Sequence, residues 1–319
     1  MKDEGYDFVP LPERVRRAAR PEARHDRRVA GAITASVDVT LVTEQQVHVG
    51  SGFKTMRDQR VVRAAVTSSE LACVPGSTLK GVLRSRYEAI TRSCALFRAS
   101  SRPVKVRSTS FEGAKARLSD AVTRYDVFSP CSGDQICAAC SLFGRMSLRG
   151  RIAVSDFVPK SVISLEIAEV AEMFTPNLHH LGSFNPTHDR GETILEIRNL
   201  HGRKFARGRG PETQGRERIE VIPVGIGLHG AVRLVNVTPA ELGGFLAALG
   251  VQPTSRLKVG GGKGHGFGRV RASLHAIQIR PGSTALSADM ASYEGTFRSD
   301  PDAWVTGLDA LVRIHEERS

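Results

Sequence analysis

The amino-acid sequence predicts an α+β protein in which helices cover one face of a sheet. Several segments alternate apolar and polar residues at period two, as half-buried strands do, and two others place apolar residues at helical spacing. Along the chain they follow the order strand, helix, several strands, helix, strand, which resembles a split βαβ sheet. The 319 residues, 40% of them hydrophobic, allow a full apolar core and exclude a collagen-like or wholly disordered chain.

The first strand and the first helix have the clearest patterns. Order is predicted to begin at Ala30, where AGAITASVDVTLVT alternates as a strand does, and a glycine-rich turn, HVGSGF, follows it. The next segment, PGSTLKGVLRSRYEAITRS, predicts a helix with Ser77 as its N-cap. Its apolar stripe is formed by Leu79, Val82, Leu83, Tyr87 and Ile90. Lys80 and Arg84 occupy the opposite face, which we expect to be free.

The second half of the chain predicts further strands around one helix. RGRIAVSDFVP and ILEIRNLHG read as strands, and ERIEVIPVGIGLHGAVRLVNV reads as one long strand or as a pair broken at Gly225 to Gly230. Thr238 precedes Pro239, and Glu241 follows three residues after Thr238, so a capped helix is predicted to begin here and to end at Gly250. GRVRASLHAIQI is the last predicted strand.

Three other segments have weaker patterns. Residues 13–28 carry seven arginines against three acids without a useful apolar stripe, so residues 1–29 are predicted to be a loosely attached basic arm. The polar stretch 98–124 predicts an irregular excursion, and residues 276–319 a C-terminal extension. The start lacks the apolar run of a secretory signal, and no stretch approaches the ~18 apolar residues of a membrane span. We therefore expect a cytoplasmic protein without a membrane partner.

Three clustered cysteines predict a structural zinc site. Cys131, Cys137 and Cys140 have the spacing C-x5-C-x2-C, in which a CxxC pair and an upstream cysteine can surround one tetrahedral ion. Cys94, just past the first helix, is the preferred fourth ligand, with His48 and the His179–His180 pair as weaker candidates. The alternatives are a redox CxxC and cysteines without a ligand.

The remaining cysteine has a simpler interpretation. Cys73 stands in the apolar run LACVP, which predicts a buried thiol. Five cysteines are an odd number that suits no closed disulfide framework, and a reducing compartment favours metal binding over disulfides.

A glycine loop, LKVGGGKGHGFGRVR, predicts close approach of the backbone to phosphate. It has six glycines between residues 260 and 268, Gly261 and Gly262 among them. Its basic and imidazole groups are Lys258, Lys263, His265 and Arg269. The register fits neither GxGxxG nor GxxxxGK[ST], so a mononucleotide site is not indicated. The alternative is a flexible turn.

A surplus of cations points to a polyanionic partner. The net charge is +12, and residues 198–218 carry seven Lys or Arg, including Arg203, Lys204 and Arg207, against two acids. This segment is interpreted as a mobile basic loop that contacts an RNA backbone, the alternative being a solvated face. Aromatic residues make up only 6%, without an RNP-type motif, so base stacking on a sheet is not expected. HExxH, GxSxG and a paired-carboxylate motif are absent from the sequence, so it does not support a nucleophilic hydrolase.

Four of these motifs, in this order, carry a family resemblance. GSGF, PGSTLKGVLRSRYEAI, CxxCSLFG followed by RGRIAVSDF, and KVGGGKGHGFGRVR resemble the RAMP superfamily, specifically the backbone subunits of type III CRISPR effector complexes. The resemblance spans residues 30 to about 275. It implies a modified RRM-like, or ferredoxin-like, palm with two insertions: an excursion with a zinc knuckle at 98–145 and a β-hairpin thumb at 160–220.

The resemblance also implies partners. Such proteins assemble with copies of themselves and with other effector subunits along a guide RNA, and hold the complementary target RNA. Ser77, Lys80 and Arg84 would then face the guide backbone. The alternative from a different class is a monomeric zinc-stabilised RNA-processing or ribosome-associated factor.

Many relatives also cut the target RNA with one Asp in the loop after the first strand. In MRDQRVVRAAV, Asp58 stands before an apolar pair and a basic residue, although counting back from Pro75 leads to Arg60. A single carboxylate can bind Mg²⁺ or position the attacking hydroxyl group. The sequence leaves open whether Asp58 acts as an endoribonuclease residue or the chain is a scaffold without catalytic activity.

Overall fold

The fold is described from a computed structural model for residues 5–95, 104–105, 115–118, 128–171, 182–189, 191–207, 217–251, 255–281, 283–284 and 290–316. The α-helices are α1 (Gly76–Ile90), α2 (Ala138–Phe143), α3 (Pro239–Leu249), α4 (Ala291–Arg298) and α5 (Val305–His315). The strands are β1 (Tyr6–Val9), β2 (Ile33–Thr43), β3 (Gly50–Arg57), β4 (Arg60–Ala65), β5 (Thr67–Ser68), β6 (Leu71–Ala72), β7 (Val104–Lys105), β8 (Lys115–Leu118), β9 (Gly144–Arg145), β10 (Leu148–Arg149), β11 (Ile152–Val154), β12 (Glu166–Val170), β13 (Gly182–Asp189), β14 (Glu192–Leu200), β15 (Arg203–Ala206), β16 (Glu217–Val221), β17 (Gly227–Val237), β18 (Leu257–Lys258) and β19 (Arg269–Ile279).

The central sheet has five strands in the order β11-β17-β2-β19-β18, all antiparallel to their neighbours. Along the chain its main elements run β2, α1, β11, β17, α3, β19, so the predicted α+β order is confirmed. On β2, Val37, Val39 and Leu41 are buried and belong to the same core as the apolar residues of α1 and α3, whereas Ser36 and Asp38 are half-buried. The period-two pattern thus predicted which residues of β2 enter the core.

Helix α1 begins two residues earlier than the sequence predicted. Pro75 is its N-cap, and Ser77 is an exposed residue inside the helix, so the prediction of Ser77 as the cap is wrong. The Gly76 amide donates instead to Asp156 Oδ1 at 2.8 Å. A β-carbon at Gly76 would stand 2.1 Å from the Val154 carbonyl oxygen. The tight approach of this helix end to the segment after β11 therefore requires glycine and provides the capping carboxylate.

Helix α3 has the ends that the sequence predicted. Thr238 Oγ1 accepts from the Glu241 amide, the Glu241 carboxylate accepts from the Thr238 amide, and Gly250 closes the helix in the left-handed conformation. Helices α4 and α5 pack against the same core through Tyr293, Phe297 and other apolar residues. Strand β19 continues to Ile279, so it crosses the boundary predicted at residue 275.

Two smaller four-stranded sheets lie beside the central one. Their orders are β12-β16-β4-β3 and β13-β14-β8-β7. The predicted strands at ILEIRNLHG and on either side of the Gly225 to Gly230 break correspond to β14, β16 and β17. The region predicted as a thumb, 160–220, contains the antiparallel pair β13 and β14. Most of the predicted excursion 98–124 lies outside the described residues. Within the described part, none of the helices combines the length and the apolar composition that a membrane span requires.

The basic N-terminal segment is docked rather than loose, which corrects the prediction for residues 13–28. The Arg16 amide donates to the Arg92 carbonyl, and Ala18 forms a bridge with Ile136. The buried Arg20 side chain pairs with Asp302 at 2.7 Å. The sequence could not show this, because the carboxylate that compensates the arginine lies 282 residues away.

Candidate metal centre and nucleic-acid interface

Four cysteines form a buried cluster. The sulfur atoms of Cys94, Cys131, Cys137 and Cys140 all lie within 4.8 Å of one another. Cys94 Sγ is 3.5 Å from Cys140 Sγ and 3.6 Å from Cys137 Sγ. All four residues are below a tenth exposed. The structure therefore brings Cys94, the preferred fourth ligand, together with the other three cysteines.

Local backbone structure positions these sulfurs. Cys137 is the N-cap of α2 and Cys140 lies inside that helix, so the CxxC spacing puts both at one helix end. The Cys137 amide donates to Cys131 Sγ at 3.3 Å, which turns the loop back onto the helix. Cys94 approaches from the segment after α1, where the Ala139 amide donates to Ser93 Oγ.

The donor set fits a structural zinc ion. A tetrahedral ion with Zn–S bonds of about 2.3 Å separates its sulfurs by about 3.8 Å, close to the separations found here. The same sulfurs are too far apart for disulfides, whose bond length is about 2.05 Å. Cys73 is not part of the cluster; it is 1% exposed, and burial raises its pKa to about 11. His48 lies elsewhere, under the glycine loop, and His179 and His180 lie outside the described residues.

The thiols are electrostatically linked. Hydrogen bonds from the other three thiols lower the pKa of Cys131. Its thiolate in turn raises the pKa of Cys140 and of Cys94. Four neighbouring thiols therefore cannot all ionise without a cation among them, since each added thiolate repels the others.

Two predicted RNA contacts belong to the surroundings of this cluster. Glu88 accepts from both Arg84 and Arg203, each at 2.9 Å. Arg84 also donates to the Gly144 carbonyl, and Arg203 to the Cys94 carbonyl. Burial alone would lower the pKa of Arg84, but Glu88 and the thiolates of Cys140 and Cys94 raise it. The expectation that Arg84 lies on a free helix face is therefore wrong, because a carboxylate four residues on and a carbonyl from the cysteine region engage it.

A cleft separates α1 from the glycine loop. Its volume is about 380 Å³, and Gly50, the first residue of β3, also lines it. The lining residues are Val49, Gly50, Thr78, Gly81, Val82, Ser85, Gly260, Gly261 and Lys263. The two motifs that sequence reasoning assigned to one ligand therefore face each other across a single cleft. We call it the α1–glycine cleft.

The helix residues in this cleft are not the ones predicted. Thr78, Gly81 and Ser85 line it, whereas Ser77, Lys80 and Arg84 lie on the neighbouring stripe of α1. Lys80 is half-buried, and burial with some repulsion from Arg84 lowers its pKa. The sequence held a signal that was missed: Thr78, Gly81 and Ser85 recur at helical spacing as small residues, which leave room beside a helix.

The glycine loop packs against the buried residue His48. Gly260 has φ +82°, and a β-carbon there would stand 2.1 Å from the His48 carbonyl oxygen. That same oxygen accepts from the Gly261 amide at 2.8 Å, while His48 Nδ1 donates to the Glu220 carbonyl. His48, a weak metal candidate in the sequence, therefore supports the loop.

Two further side chains that were predicted to contact RNA, Lys258 and Arg269, have partners within the protein. Lys258 is 6% exposed and donates to Gln45 Oε1 and to the Phe267 carbonyl. Arg269 pairs with Glu44 at 3.1 Å. Burial lowers the pKa of Lys263, which lines the cleft and is half-buried. Lys263 is thus the basic group of the loop that the cleft contains, and His265 lies half-buried in the 3-10 turn next to it.

The basic stretch 198–218 is partly a strand, which corrects the prediction of a mobile loop. Arg203 to Ala206 form β15, paired with β1. Lys204 Nζ lies 3.7 Å from the centre of the Tyr6 ring, and Arg207 pairs with Asp7. Strand β1 therefore provides the partners of both cations. The sequence did not show this, because Asp7 lies 200 residues from Arg207. Residues 208–216 lie outside the described residues.

Asp58 lies at a hairpin tip rather than in a loop after the first strand. With Gln59 it forms the two-residue turn between β3 and β4, and both have positive φ, 46° and 60°. It is exposed at the edge of a cavity of about 390 Å³ that Arg57, Glu70 and Glu220 also line. The described part of the chain places no group of three metal-ligating side chains around it.

Comparison with known proteins decides the family. The family model for the RAMP superfamily matches residues 40–271. The chain belongs to the RAMP superfamily. The match covers the end of β2, α1, the cysteine cluster, the α1–glycine cleft and the start of β19, so the superfamily that the motif order suggested is confirmed.

Other comparisons add less to the description of this RAMP-superfamily protein. A search of curated proteins finds no match. Among solved structures, a chain described as "Type IV-B CRISPR Complex" is 15% identical, with a TM-score of 0.34, and the alignment covers 83% of this chain and 100% of that chain. A likeness at this level carries no functional conclusion. The match does not test the assignment to type III.

Proposed function

We propose that this RAMP-superfamily protein is a backbone subunit of a CRISPR RNA-guided effector complex that holds guide RNA along its phosphates. The observation that carries the proposal is the α1–glycine cleft, because it brings the α1 motif and the glycine loop to one ligand-sized space with Lys263. In this proposal the β2-α1-β11-β17-α3-β19 unit is an RRM-like palm. The cysteine cluster is a zinc knuckle, and the region 160–220 is the thumb.

The chemistry of the cleft favours phosphate. The amides of Gly260 and Gly262 have no backbone acceptor among the described residues, so they can donate to phosphate oxygens. Lys263 is held partly desolvated at the same place, and a nearby anion restores the stability of its charged form. Thr78 and Ser85 add hydroxyl donors from α1. None of these groups reads a base edge, so recognition by backbone and shape follows.

Zinc would serve the fold rather than the RNA contact. Cys94, Cys131, Cys137 and Cys140 would hold the ion, which joins the segment after α1 to α2. Four thiolates around one Zn²⁺ carry a net charge of −2, and Arg84 and Arg203 lie next to them with a single acid, Glu88, between. This arrangement supports a structural, closed site and makes a redox role for the CxxC pair unnecessary.

The proposal also assigns partners. The subunit would assemble with copies of itself and with other effector subunits on the guide, and the complementary target RNA would pair with the guide. We propose the scaffold role as the primary one. Asp58 occupies an exposed turn and, in the part of the chain that the structure describes, belongs to no group of three metal-ligating side chains, so its position does not support a Mg²⁺ site.

The experiment is purification of the protein from cells that express its own guide RNA, followed by sequencing of the bound nucleic acid. We expect protected small RNA of regular length, lost in Lys263→Gln and retained in the control variant Lys160→Gln, which removes one ammonium from an exposed position outside the cleft. Light scattering with guides of different length distinguishes the alternative of a monomeric RNA-processing factor. The proposal requires that protein copy number rise with RNA length; a constant single copy contradicts it.

A further inference from the structure

A second group of cations lies far from the α1–glycine cleft. Arg27 and Arg28 come from the docked N-terminal segment, Arg233 from β17, and Arg280 from the end of β19. They line one cavity of about 420 Å³ at the edge where β2 begins. The α1–glycine cleft lies beyond the other end of β2, and an eleven-residue strand separates its ends by roughly 30 Å. The two sites are therefore distinct.

The side chains of these four arginines are not paired with acids in the part of the chain that the structure describes. Arg27, Arg28, Arg233 and Arg280 form no ion pair there, and Arg28 donates to the Pro281 carbonyl. The one acid on the cavity wall, Asp26, already receives both Nε and a terminal nitrogen of Arg24, at 3.1 and 2.9 Å. Four like charges at one cavity repel one another, so an anion between them would lower the electrostatic energy.

Hydrogen bonds hold the backbone segments that form the walls of this cavity. The buried Asn236 side chain donates to the Arg24 and Arg27 carbonyls, at 3.1 and 2.9 Å, and so fixes the N-terminal segment to β17. On the other side, Ser283 Oγ accepts from the Thr34 amide at 2.8 Å, and the Arg280 amide donates to the Thr34 carbonyl. The backbones that carry the arginines are thus held by hydrogen bonds to the central sheet.

The cavity continues into a larger one. A second depression of about 940 Å³ shares His25, Asp26 and Arg27 with the first. Arg145 forms part of its far wall, and the Nε of Arg145 is buried without a hydrogen-bond partner. We call the combined feature the arginine groove, defined by Arg27, Arg28, Arg145, Arg233 and Arg280. Its length and successive cations suit a chain of anions better than one small anion.

We propose that the arginine groove binds the phosphate backbone of a second RNA segment, separate from the RNA held in the α1–glycine cleft. Guanidinium groups match phosphate oxygens in geometry, and a groove with arginines along its length follows a strand of repeating phosphates. The larger depression has room for nucleosides between the phosphates. This inference goes beyond the proposed function, because the cleft alone would satisfy the binding of one guide strand.

The test measures RNA binding as a function of salt concentration. The probe is a labelled single-stranded RNA of about 30 nucleotides, and the variant is Arg233→Gln/Arg280→Gln. Each cation–phosphate contact to a single strand contributes about 0.7 to the slope of log affinity against log salt, so we expect the slope to decrease by about 1.4. The control Lys160→Gln/Arg313→Gln removes two exposed charges outside the groove, and its slope should equal that of the wild type.

The outcomes separate the competing explanations. An unchanged slope in Arg233→Gln/Arg280→Gln overturns the inference, as does an equal decrease in the control. Loss of binding to a polyglutamate peptide with unchanged RNA binding would assign the groove to an acidic protein segment instead. Full displacement of RNA by low-millimolar inorganic phosphate at matched ionic strength would indicate a site for a small anion.

Two further variants keep the result interpretable. Lys263→Gln in the α1–glycine cleft tests the proposed function separately: a slope that changes there and not in the groove variant overturns only the groove. If Arg233→Gln/Arg280→Gln melts at a lower temperature than the wild type, Arg27→Gln/Arg233→Gln provides the same loss of charge with one change on a different element.

Discussion

The left-handed backbone of Gly260 lies directly against the carbonyl oxygen of His48, where a β-carbon would approach to 2.1 Å. This contact fixes the position of the glycine loop in the wall of the α1–glycine cleft, because the amide of the next residue, Gly261, donates to the same oxygen. The loop conformation is therefore fixed by a buried residue from another part of the chain.

Gly260→Ala should displace the loop. The new methyl group meets the His48 carbonyl, and φ +82° is unfavourable for alanine, so we expect a loss of stability of about 1–3 kcal/mol. RNA affinity should fall about ten-fold or more, measured by salt-controlled titration. Gly264→Ala is the matched control, since a β-carbon there meets nothing within 4 Å. Equal effects of the two substitutions would contradict the role of this contact.

The cysteine cluster should hold about one zinc ion per chain by elemental analysis. Cys137→Ser should abolish zinc binding and reduce the fraction of folded protein, because the remaining thiolates repel one another without the ion. Cys73→Ala is the control, since this thiol is buried outside the cluster, and it should retain the metal. Folded, metal-free wild-type protein after purification without chelators would refute the assignment.

Glu88→Gln should be more destabilising than a typical surface change. It removes the partner of both Arg84 and Arg203, which are only partly exposed, and leaves two cations beside the cysteine region. We expect a loss of about 1–3 kcal/mol in the free energy of unfolding by urea. Glu294→Gln, which alters a more exposed pair with Arg298, should cost about 0.5 kcal/mol or less. A smaller effect at Glu88 than at Glu294 would argue against the paired arrangement.

Lys258 should make stability depend on alkaline pH. Burial, with smaller contributions from Arg269 and Lys263, lowers its pKa from the ordinary 10.5 to about 8. The unfolded chain therefore binds more protons than the folded chain between these two values, so the stability contributed by this site rises with pH across that window. The free energy of unfolding relative to Lys258→Met should increase by about 2 kcal/mol from pH 7.5 to pH 10. Lys54→Met, which removes an exposed ammonium, is the comparison variant, and a pH dependence of the same size there would argue against burial of Lys258 as the cause.

Asp58→Ala should leave cleavage of target RNA by the assembled complex unchanged. The residue occupies an exposed hairpin turn, where aspartate tolerates positive φ better than most residues. Cleavage is measured with labelled target RNA at saturating Mg²⁺. A rate reduced a hundred-fold or more with intact assembly would instead give this subunit a catalytic carboxylate.

Several site residues were predictable because their signals are local or their motifs specific. The CxxC spacing predicted that the sulfurs of Cys137 and Cys140 lie close together, and the glycine loop was evident from composition. The free or engaged state of each basic residue was not predictable. Arg203 reaches a carbonyl 109 residues away, and Arg20 pairs with an acid 282 residues away. The sequence shows the charge of such residues but not their partners.

The sequence by itself determined the order of the central strands, α1 and α3, the capped ends of α3 and the cysteine motif, because each depends on interactions within a few residues. Only the tertiary structure decided that Arg84, Arg203 and Lys258 have internal partners and that Thr78 and Ser85, rather than Lys80, line the cleft. It also decided that Arg233 and Arg280 line one cavity. The physical reason is that desolvation and charge pairing depend on which distant segments pack together, and hydrophobic burial across the whole sheet sets that packing.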